Sequence, residues 1–276
     1  MNRKLDFLNL SDLDKTTFLH LLREADAYRT RQYTLEDHRP LNGKTLAMLF
    51  AKPSTRTRVI FEVGVYQLGG HAIMLSDRDS QIGRGEPIED TAKVLSGYVD
   101  GIMIRTFDHE QLLTLARHAS VPVINGLTDF NHPCQVLADL LTCRTEFGED
   151  ALSTMSVAWV GDGNNMACSW VNAAQVLGFE LRIATPDAYK LPQSQIDAAR
   201  ANGARIVQSD SAFTAAEGAD VVTTDVWASM GQESESKSRH AVFEPFQVDE
   251  KVMSRSADHS IFLHCCLLYT SPSPRD

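Results

Sequence analysis

Short apolar runs alternate with stretches of helical periodicity along almost all of this 276-residue chain. A short apolar run followed by an amphipathic helix is typical of strands in a parallel sheet with helical crossovers. The runs lie at residues 45–51, 71–75, 101–105 and 121–124, and again at 155–160, 180–184, 204–208, 220–224 and 260–265. The chain is long enough for two cores. The run 71–75 is predicted to be a buried strand, and Ser11 is predicted to cap a helix that ends near Gln32. We therefore predict an α/β protein of two doubly wound parallel-sheet domains, 1–148 and 149–265, joined by an interdomain helix that ends near Phe147.

Composition excludes several classes of partner. The formal net charge of -10 disfavours nucleic acid or an anionic membrane, because neither is attracted to such a surface. No apolar run approaches the length of a membrane span, and the first residues lack the apolar core of a signal peptide, so we expect a cytoplasmic protein. The five cysteines show no paired metal-ligand spacing, which favours reduced thiols and no metal site.

The most informative turn follows the first apolar run. Ser54, Thr55, Arg56, Thr57 and Arg58 stand where a strand ends and a helix begins. The first turn of a helix offers unpaired N–H groups and a positive dipole, and arginine binds two phosphate oxygens at once. We predict a phosphate or similar oxyanion here. The alternative is a capped helix whose arginines lie on its solvated face.

Further polar residues occupy equivalent positions in the first half. Arg105 ends the run 101–105, and His132 and Gln135 stand three apart at a second helix start, where Pro133 suits the first turn. Ligands of open parallel sheets gather at the carboxyl ends of strands. The alternatives are an arginine that pairs with a carboxylate and a structural histidine.

The second half has its own polar strand ends. The turn 161–165 resembles a dinucleotide fingerprint, but it lacks the spaced third glycine, so we reject a nicotinamide cofactor. Asn164 and Asn165 offer amide groups for a zwitterionic small molecule, with helix capping as the alternative. Asp225 could hold an ammonium group or be a plain loop acid, and Cys265 ends the last strand. The stretch 232–239 is interpreted as a solvated face.

Six motifs in this order resemble the ornithine carbamoyltransferase family, from the N-terminus to Cys265. They are Ser-Thr-Arg-Thr-Arg at 54–58, Arg105 in Arg-Thr-Phe-Asp-His, His-Pro-Cys-Gln at 132–135, Gly-Asp-Gly-Asn-Asn at 161–165, Asp-Val-Trp-Ala-Ser-Met-Gly at 225–231 and Phe-Leu-His-Cys at 262–265. The first three are shared in kind with aspartate carbamoyltransferase. The last three point to ornithine rather than aspartate as the acceptor.

The resemblance implies a role for each site residue. Carbamoyl phosphate would be held by Ser54, Thr55, Arg56, Thr57, Gln81, Arg105, His132 and Gln135, with Gln81 supplied to a neighbouring subunit. L-Ornithine would be held by Asn165, Asp225, Ser229 and Met230, and the catalytic residues would be Arg105, His132 and Cys265. The family forms homotrimers with active sites between subunits and uses no metal or cofactor.

The resemblance further implies carbamoyl transfer from carbamoyl phosphate to the side-chain amine of L-ornithine, giving L-citrulline and phosphate. Alternatives are a sister enzyme for putrescine or an acylated ornithine, and a non-catalytic binding or assembly subunit. Residues 266–276 depart from the family, which continues with Leu-Pro, an arginine and a long return helix. We expect this atypical tail to lie outside the fold, the C-terminal return helix to be missing, and activity to be impaired.

Overall fold

The computed structural model describes residues 4–30, 38–51, 54–76, 85–228 and 236–266. It divides into two compact units, Met1–Cys134 and Gln135–Asp276. The helices are α1 Lys15–Arg29, α2 Thr55–Gln67, α3 Ile88–Ser96, α4 His109–His118, α5 Pro133–Phe147, α6 Asn165–Leu177, α7 Gln193–Ala201, α8 Ala212–Ala216, α9 Ser236–Phe243 and α10 Glu250–Met253. Of the helices within the described ranges, none is both long and apolar enough to cross a membrane.

The first unit is built on a parallel sheet of four strands in the order β2-β1-β3-β4. The strands are β1 Thr45–Phe50, β2 His71–Ser76, β3 Gly101–Arg105 and β4 Val123–Leu127. Alternate residues of β1 and β3 face two cores: Leu49 and Ile104 pack with α4, whereas Met48 and Met103 pack on the other face. Burial on both faces explains why these strands read as continuous apolar runs.

The second unit contains a parallel sheet of five strands in the order β7-β6-β5-β8-β9. The strands are β5 Ser156–Val160, β6 Glu180–Ala184, β7 Arg205–Ser209, β8 Val221–Thr224 and β9 Ile261–His264. Helix α6 is buried almost all round, as expected of a helix in the middle of a doubly wound layer. The predicted pair of parallel α/β sheets is confirmed.

Three local predictions were wrong. Asp14, rather than Ser11, caps α1, because its carboxylate accepts the Thr17 amide at 2.7 Å. Strand β2 was predicted to be buried, but it lies at the edge of its sheet and exposes His71 and Ile73. The stretch 232–239, interpreted as a solvated face, is exposed at Lys237 and Ser238, but it belongs in part to α9, in which Arg239 is only 3% exposed.

Candidate active site

The N-terminus of α2 follows strand β1 as the sequence predicted. Ser54 is the N-cap, and its hydroxyl oxygen accepts the Thr57 amide at 3.3 Å. The capping hydroxyl can still donate a hydrogen bond, so the first turn offers hydroxyl and backbone donors to an anion. Thr55 and Arg56 are exposed there. Arg58 is different, because it pairs with Glu62 one turn along the helix at 3.2 Å.

Arg105 reaches this helix start through the register of the sheet. It pairs with Phe50 of the neighbouring strand, so the end of β3 lies beside the end of β1. Its guanidinium donates to the Thr57 hydroxyl at 3.2 Å. Its Nε is buried without a hydrogen-bond partner among the described residues. A buried, incompletely paired guanidinium beside a helix N-terminus is suited to bind an oxyanion.

Charge and burial act together on Arg105 and His132. Burial, with the positive charge of Arg56, lowers the pKa of Arg105 to about 10. Burial, with the positive charge of Arg105, lowers the pKa of His132 to about 3. Near neutral pH the arginine is therefore charged and the imidazole is neutral. A neutral imidazole donates a hydrogen bond through only one of its nitrogens.

A buried amide cluster fixes the turn that carries His132. Asn131 is completely buried, and its side-chain oxygen accepts from the Asn125 amide at 2.5 Å. The Thr128 hydroxyl also donates to that oxygen, at 3.3 Å. Cys134 donates its thiol to the Asn125 carbonyl, and burial raises the pKa of this thiol to about 12. Cys134 is therefore an unreactive structural residue.

A cavity of about 500 Å³ lies at the carboxyl ends of the same strands in the first unit. Its lining includes Ala51 and Thr106, but also the acids Glu89, Asp108 and Glu110. Negative side chains repel a phosphate. The helix N-terminus with Arg105 is therefore better suited to an anion than this cavity.

In the second unit, three adjacent strands end in polar residues. Asn164 follows β5, Asp225 follows β8 and Cys265 follows β9. The Asn164 amide nitrogen donates to Asp225 at 2.8 Å, and the Cys265 thiol also donates to Asp225. The side-chain oxygen of Asn164 caps α6 by accepting the Met166 and Ala167 amides at 2.9 and 3.2 Å. The capping alternative is therefore correct for Asn164, while Asn165 is the first residue of α6.

The thiol of Cys265 is held in its protonated form. Its contact with Cys266, burial and the negative charge of Asp225 together raise the pKa of Cys265 well above its usual range. A protonated thiol is a weak hydrogen-bond donor rather than a nucleophile. The arrangement at Asp225 thus presents one buried carboxylate, which is suited to an ammonium group, with neutral donors around it.

The turn after β5 requires its glycines. Gly161 has φ of 135°, and a Cβ on Gly163 would lie 2.4 Å from the Tyr189 carbonyl oxygen. Between them, Asp162 forms a buried ion pair with Arg239, whose guanidinium also donates to the Trp227 carbonyl. The turn that carries Asn164 is therefore fixed by close backbone packing and by α9.

Comparisons with known proteins match both units. Residues 5–145 match the family described as "Aspartate/ornithine carbamoyltransferase, carbamoyl-P binding domain", and residues 153–267 match "Aspartate/ornithine carbamoyltransferase, Asp/Orn binding domain". The ornithine carbamoyltransferase of Halorhodospira halophila is 51% identical over 94% of this chain and 85% of its own length. That of Anoxybacillus flavithermus is 52% identical over 94% of this chain and 83% of its own length. The chain belongs to the ornithine carbamoyltransferase family.

Solved structures of this family have the same fold. The ornithine carbamoyltransferase of Pyrococcus furiosus superposes with a TM-score of 0.89 at 44% identity, covering 96% of this chain and 86% of that one. That of Campylobacter jejuni gives a TM-score of 0.88 at 41% identity, covering 96% and 87%. The resemblance inferred from six short motifs is confirmed.

The structure groups the predicted site residues of this ornithine carbamoyltransferase family member into two clusters. Within the first unit, the charges and contacts of Arg105 connect it to Thr57, Arg56 and His132. Within the second unit, Asp225 contacts Cys265, and Asn165 begins the helix that Asn164 caps. The predicted residues Gln81, Ser229 and Met230, and the tail 267–276, lie outside the described residues.

Sequence reasoning missed three buried polar residues near these clusters, namely Asn131, Asp139 and Arg239. Asn131 precedes the His-Pro-Cys-Gln motif, and its position next to a helix start was the available signal. Asp139 stands four residues after Gln135 and accepts its amide at 3.0 Å, a spacing that could have been read from the sequence. Arg239 gave no local signal, because its partner Asp162 is 77 residues away.

Proposed function

We propose that this protein transfers the carbamoyl group of carbamoyl phosphate to the side-chain amine of L-ornithine, giving L-citrulline and phosphate. The observation that carries the proposal is the contact between Arg105 and Thr57 at the N-terminus of α2, in a chain of this family. Ser54, Thr55, Arg56 and Thr57 would bind the phosphate. Gln81, outside the described residues, would reach the site of a neighbouring subunit.

The proposed chemistry follows from the protonation states of the site. When a neutral amine attacks the carbonyl carbon, negative charge grows on the carbonyl oxygen. The charged Arg105 and an N–H of neutral His132 would stabilise this oxygen. Arg56 and the α2 dipole would stabilise the departing phosphate. Gln135, at the start of α5, would bind the carbamoyl group.

The acceptor would bind to the second unit. The carboxylate of Asp225 would hold an ammonium group of ornithine, and Asn165 would contact the amino-acid end. The predicted ligands Ser229 and Met230 lie outside the described residues. The protonated thiol of Cys265 would stand beside the side-chain amine as a hydrogen-bond donor. Neither substrate requires a metal or cofactor for this displacement.

We further propose a cytoplasmic homotrimer whose functional domains are 1–148 for carbamoyl phosphate and 149–265 for ornithine. Support for self-association comes from α2, which exposes Val59, Ile60, Val63 and Tyr66 at helical spacing. A contiguous exposed apolar surface of this kind is typical of a protein interface.

The first test compares two arginines of the same helix. Arg56→Gln removes a predicted phosphate ligand, whereas Arg58→Gln removes an exposed residue that pairs with Glu62. Loss of a charge-assisted hydrogen bond of about 1.5–3 kcal/mol predicts that R56Q weakens carbamoyl phosphate binding by about 10- to 100-fold. We expect R58Q to stay within about twofold of the parent, since an exposed ion pair contributes little. Titration calorimetry would measure both, and equal binding by R56Q and the parent would contradict the proposed site.

A citrulline assay on the parent chain separates the candidate functions. The main proposal predicts citrulline from ornithine and carbamoyl phosphate, with weaker use of putrescine and acetylornithine. A sister enzyme would prefer one of those two amines. A binding subunit would take up carbamoyl phosphate in calorimetry without turnover of any amine.

A further inference from the structure

Buried carboxylates normally have a positive partner, but Asp139 in the middle of α5 has none among the described residues. It is only 8% exposed. Its carboxylate accepts a hydrogen bond from the Gln135 amide, one helical turn earlier, at 3.0 Å. Burial, with the negative charge of Asp225, raises the pKa of Asp139 to about 7, against the lowering effect of the Gln135 hydrogen bond. Within the part of the chain that the structure describes, no positive side chain contributes to this balance.

The same residue pair occurs elsewhere in the chain without burial. In α7, Gln193 donates its amide to Asp197, again four residues later, at 2.8 Å and on an exposed face. An exposed Gln–Asp pair at this spacing adds a few tenths of a kcal/mol to a helix. A helix therefore does not need to bury its acid to obtain this contact. Because burying Asp139 is costly, we expect it to have a function, and its contact indicates that this function is to orient the side-chain amide of Gln135.

Hydrogen-bond chemistry determines that direction. An ionised carboxylate only accepts hydrogen bonds, whereas a glutamine amide has one donating end and one accepting end. Asp139 therefore accepts a hydrogen bond from Nε2 of Gln135, and Oε1 of Gln135 is the atom that can accept from a ligand. Carbamoyl phosphate carries an NH₂ group, which needs an acceptor. Acetyl phosphate, with a methyl group in that position, does not.

We propose that Asp139 is a positioning residue that fixes the orientation of the Gln135 amide, so that Oε1 accepts from the carbamoyl NH₂ and the site discriminates carbamoyl phosphate from acyl phosphates. This inference rests on the proposed function, because it takes Gln135 as a ligand of the donor. Asp139 itself touches neither substrate; it acts through Gln135.

The test exchanges Asp139 for residues that differ in hydrogen-bond polarity. Asp139→Asn is nearly isosteric, but its amide donates as well as accepts, so Gln135 is free to turn its Nε2 toward the ligand. Asp139→Glu keeps an acceptor-only group and serves as the conservative variant. Asp197→Asn makes the same change in the exposed pair of α7. Burying a neutral amide is less costly than burying a charge, so the asparagine variant is expected to fold.

Affinities for carbamoyl phosphate, acetyl phosphate and inorganic phosphate would be measured by calorimetry at pH 8.5, where Asp139 is ionised. Replacing an acceptor by a donor opposite an NH₂ group predicts that D139N loses about tenfold in carbamoyl phosphate affinity and less than about twofold for the other two anions. D139E should retain most of the selectivity, and D197N all of it. In turnover assays the loss should appear in KM for carbamoyl phosphate more than in kcat.

Several outcomes would overturn the inference. An equal loss for all three anions in D139N would indicate a merely structural residue, and unchanged selectivity would show that Asp139 does not orient Gln135. Should D139N fail to fold, Asp139→Ala, which removes the acceptor, must show the same change in selectivity. The proposed function is judged separately on the parent chain. Absence of citrulline formation there would refute the function and, with it, this inference.

Discussion

Asp139 also affects stability, because its proton equilibrium differs between the folded and unfolded chain. Its pKa is about 7 when folded and near 3.8 when unfolded. A raised carboxyl pKa means that this group's stabilising contribution is fully present below about pH 4 and is lost as the pH rises through about 7. A shift of about three pKa units corresponds to on the order of 4 kcal/mol.

We therefore predict that Asp139→Asn becomes more stable relative to the parent as the pH rises. The difference in free energy of unfolding should grow by a few kcal/mol, steadily between about pH 4 and 7, and level off above pH 7. Urea unfolding at half-unit pH steps would measure it. Asp197→Asn gives the baseline for removing one acid from an exposed helix. A difference that does not change with pH would show that Asp139 is not a buried acid in solution.

At the scale of secondary structure, local sequence patterns predicted the positions of helices and strands well, but they predicted poorly which of these elements are buried. The predicted start of α2 was correct because the Ser54 cap and the apolar spacing both act within one turn of the helix. The predicted burial of β2 was wrong because the place of a strand, at the edge or in the centre of its sheet, depends on which strands pair with it. This pairing is decided by residues far along the chain. Helix α9 was missed because its buried Arg239 is stabilised by Asp162 and by the Tyr189 ring, 4.6 Å from the guanidinium carbon.

Two serine caps allow a prediction about α2 as an element. Ser54 caps α2 and Ser211 caps α8, and each hydroxyl accepts a backbone amide at 3.3 Å. Loss of a serine cap costs about 1 kcal/mol, so Ser54→Ala and Ser211→Ala should lower the free energy of unfolding similarly. Only S54A removes a donor from the proposed phosphate site, and loss of a hydrogen bond to a charged group predicts about tenfold weaker carbamoyl phosphate binding.

Denaturant unfolding and calorimetry on the same preparations would check this pair. Equal carbamoyl phosphate affinity in S54A and S211A would place the anion away from the N-terminus of α2. A loss of affinity in both would show that general destabilisation, rather than the position of the cap, weakens binding.

At the scale of the whole chain, the sequence was enough to predict the fold class and the polar residues at the carboxyl ends of the strands in each sheet. Arg105 and Asp225 could be placed at carboxyl ends because apolar runs mark where strands stop. Their partners could not be predicted, because Thr57 meets Arg105 through the register of β1 and β3, and Cys265 meets Asp225 through the neighbouring positions of β8 and β9. Such contacts depend on strand order, which the periodicity of a single segment does not encode.

Self-association is the prediction that belongs to the whole molecule. Helix α2 exposes Ile60 at 67% and Tyr66 at 78%, whereas its residue Val65 is buried. If this exposed face is the trimer interface, Ile60→Asp places a charge where the interface excludes water, and burial of an unpaired charge costs several kcal/mol. We expect the parent to sediment as three 30.6-kDa chains and I60D to sediment as smaller species.

The control places the same charge on another exposed helix. Val242 of α9 is 39% exposed, and Val242→Asp should leave the sedimentation of the parent unchanged. Circular dichroism would establish that both variants are folded. A trimer that persists in I60D would move the interface away from α2, and a parent that sediments as a single 30.6-kDa chain would refute the trimer itself. Because Gln81 is predicted to act on a neighbouring subunit, a folded I60D should also lose citrulline formation in proportion to its loss of assembly.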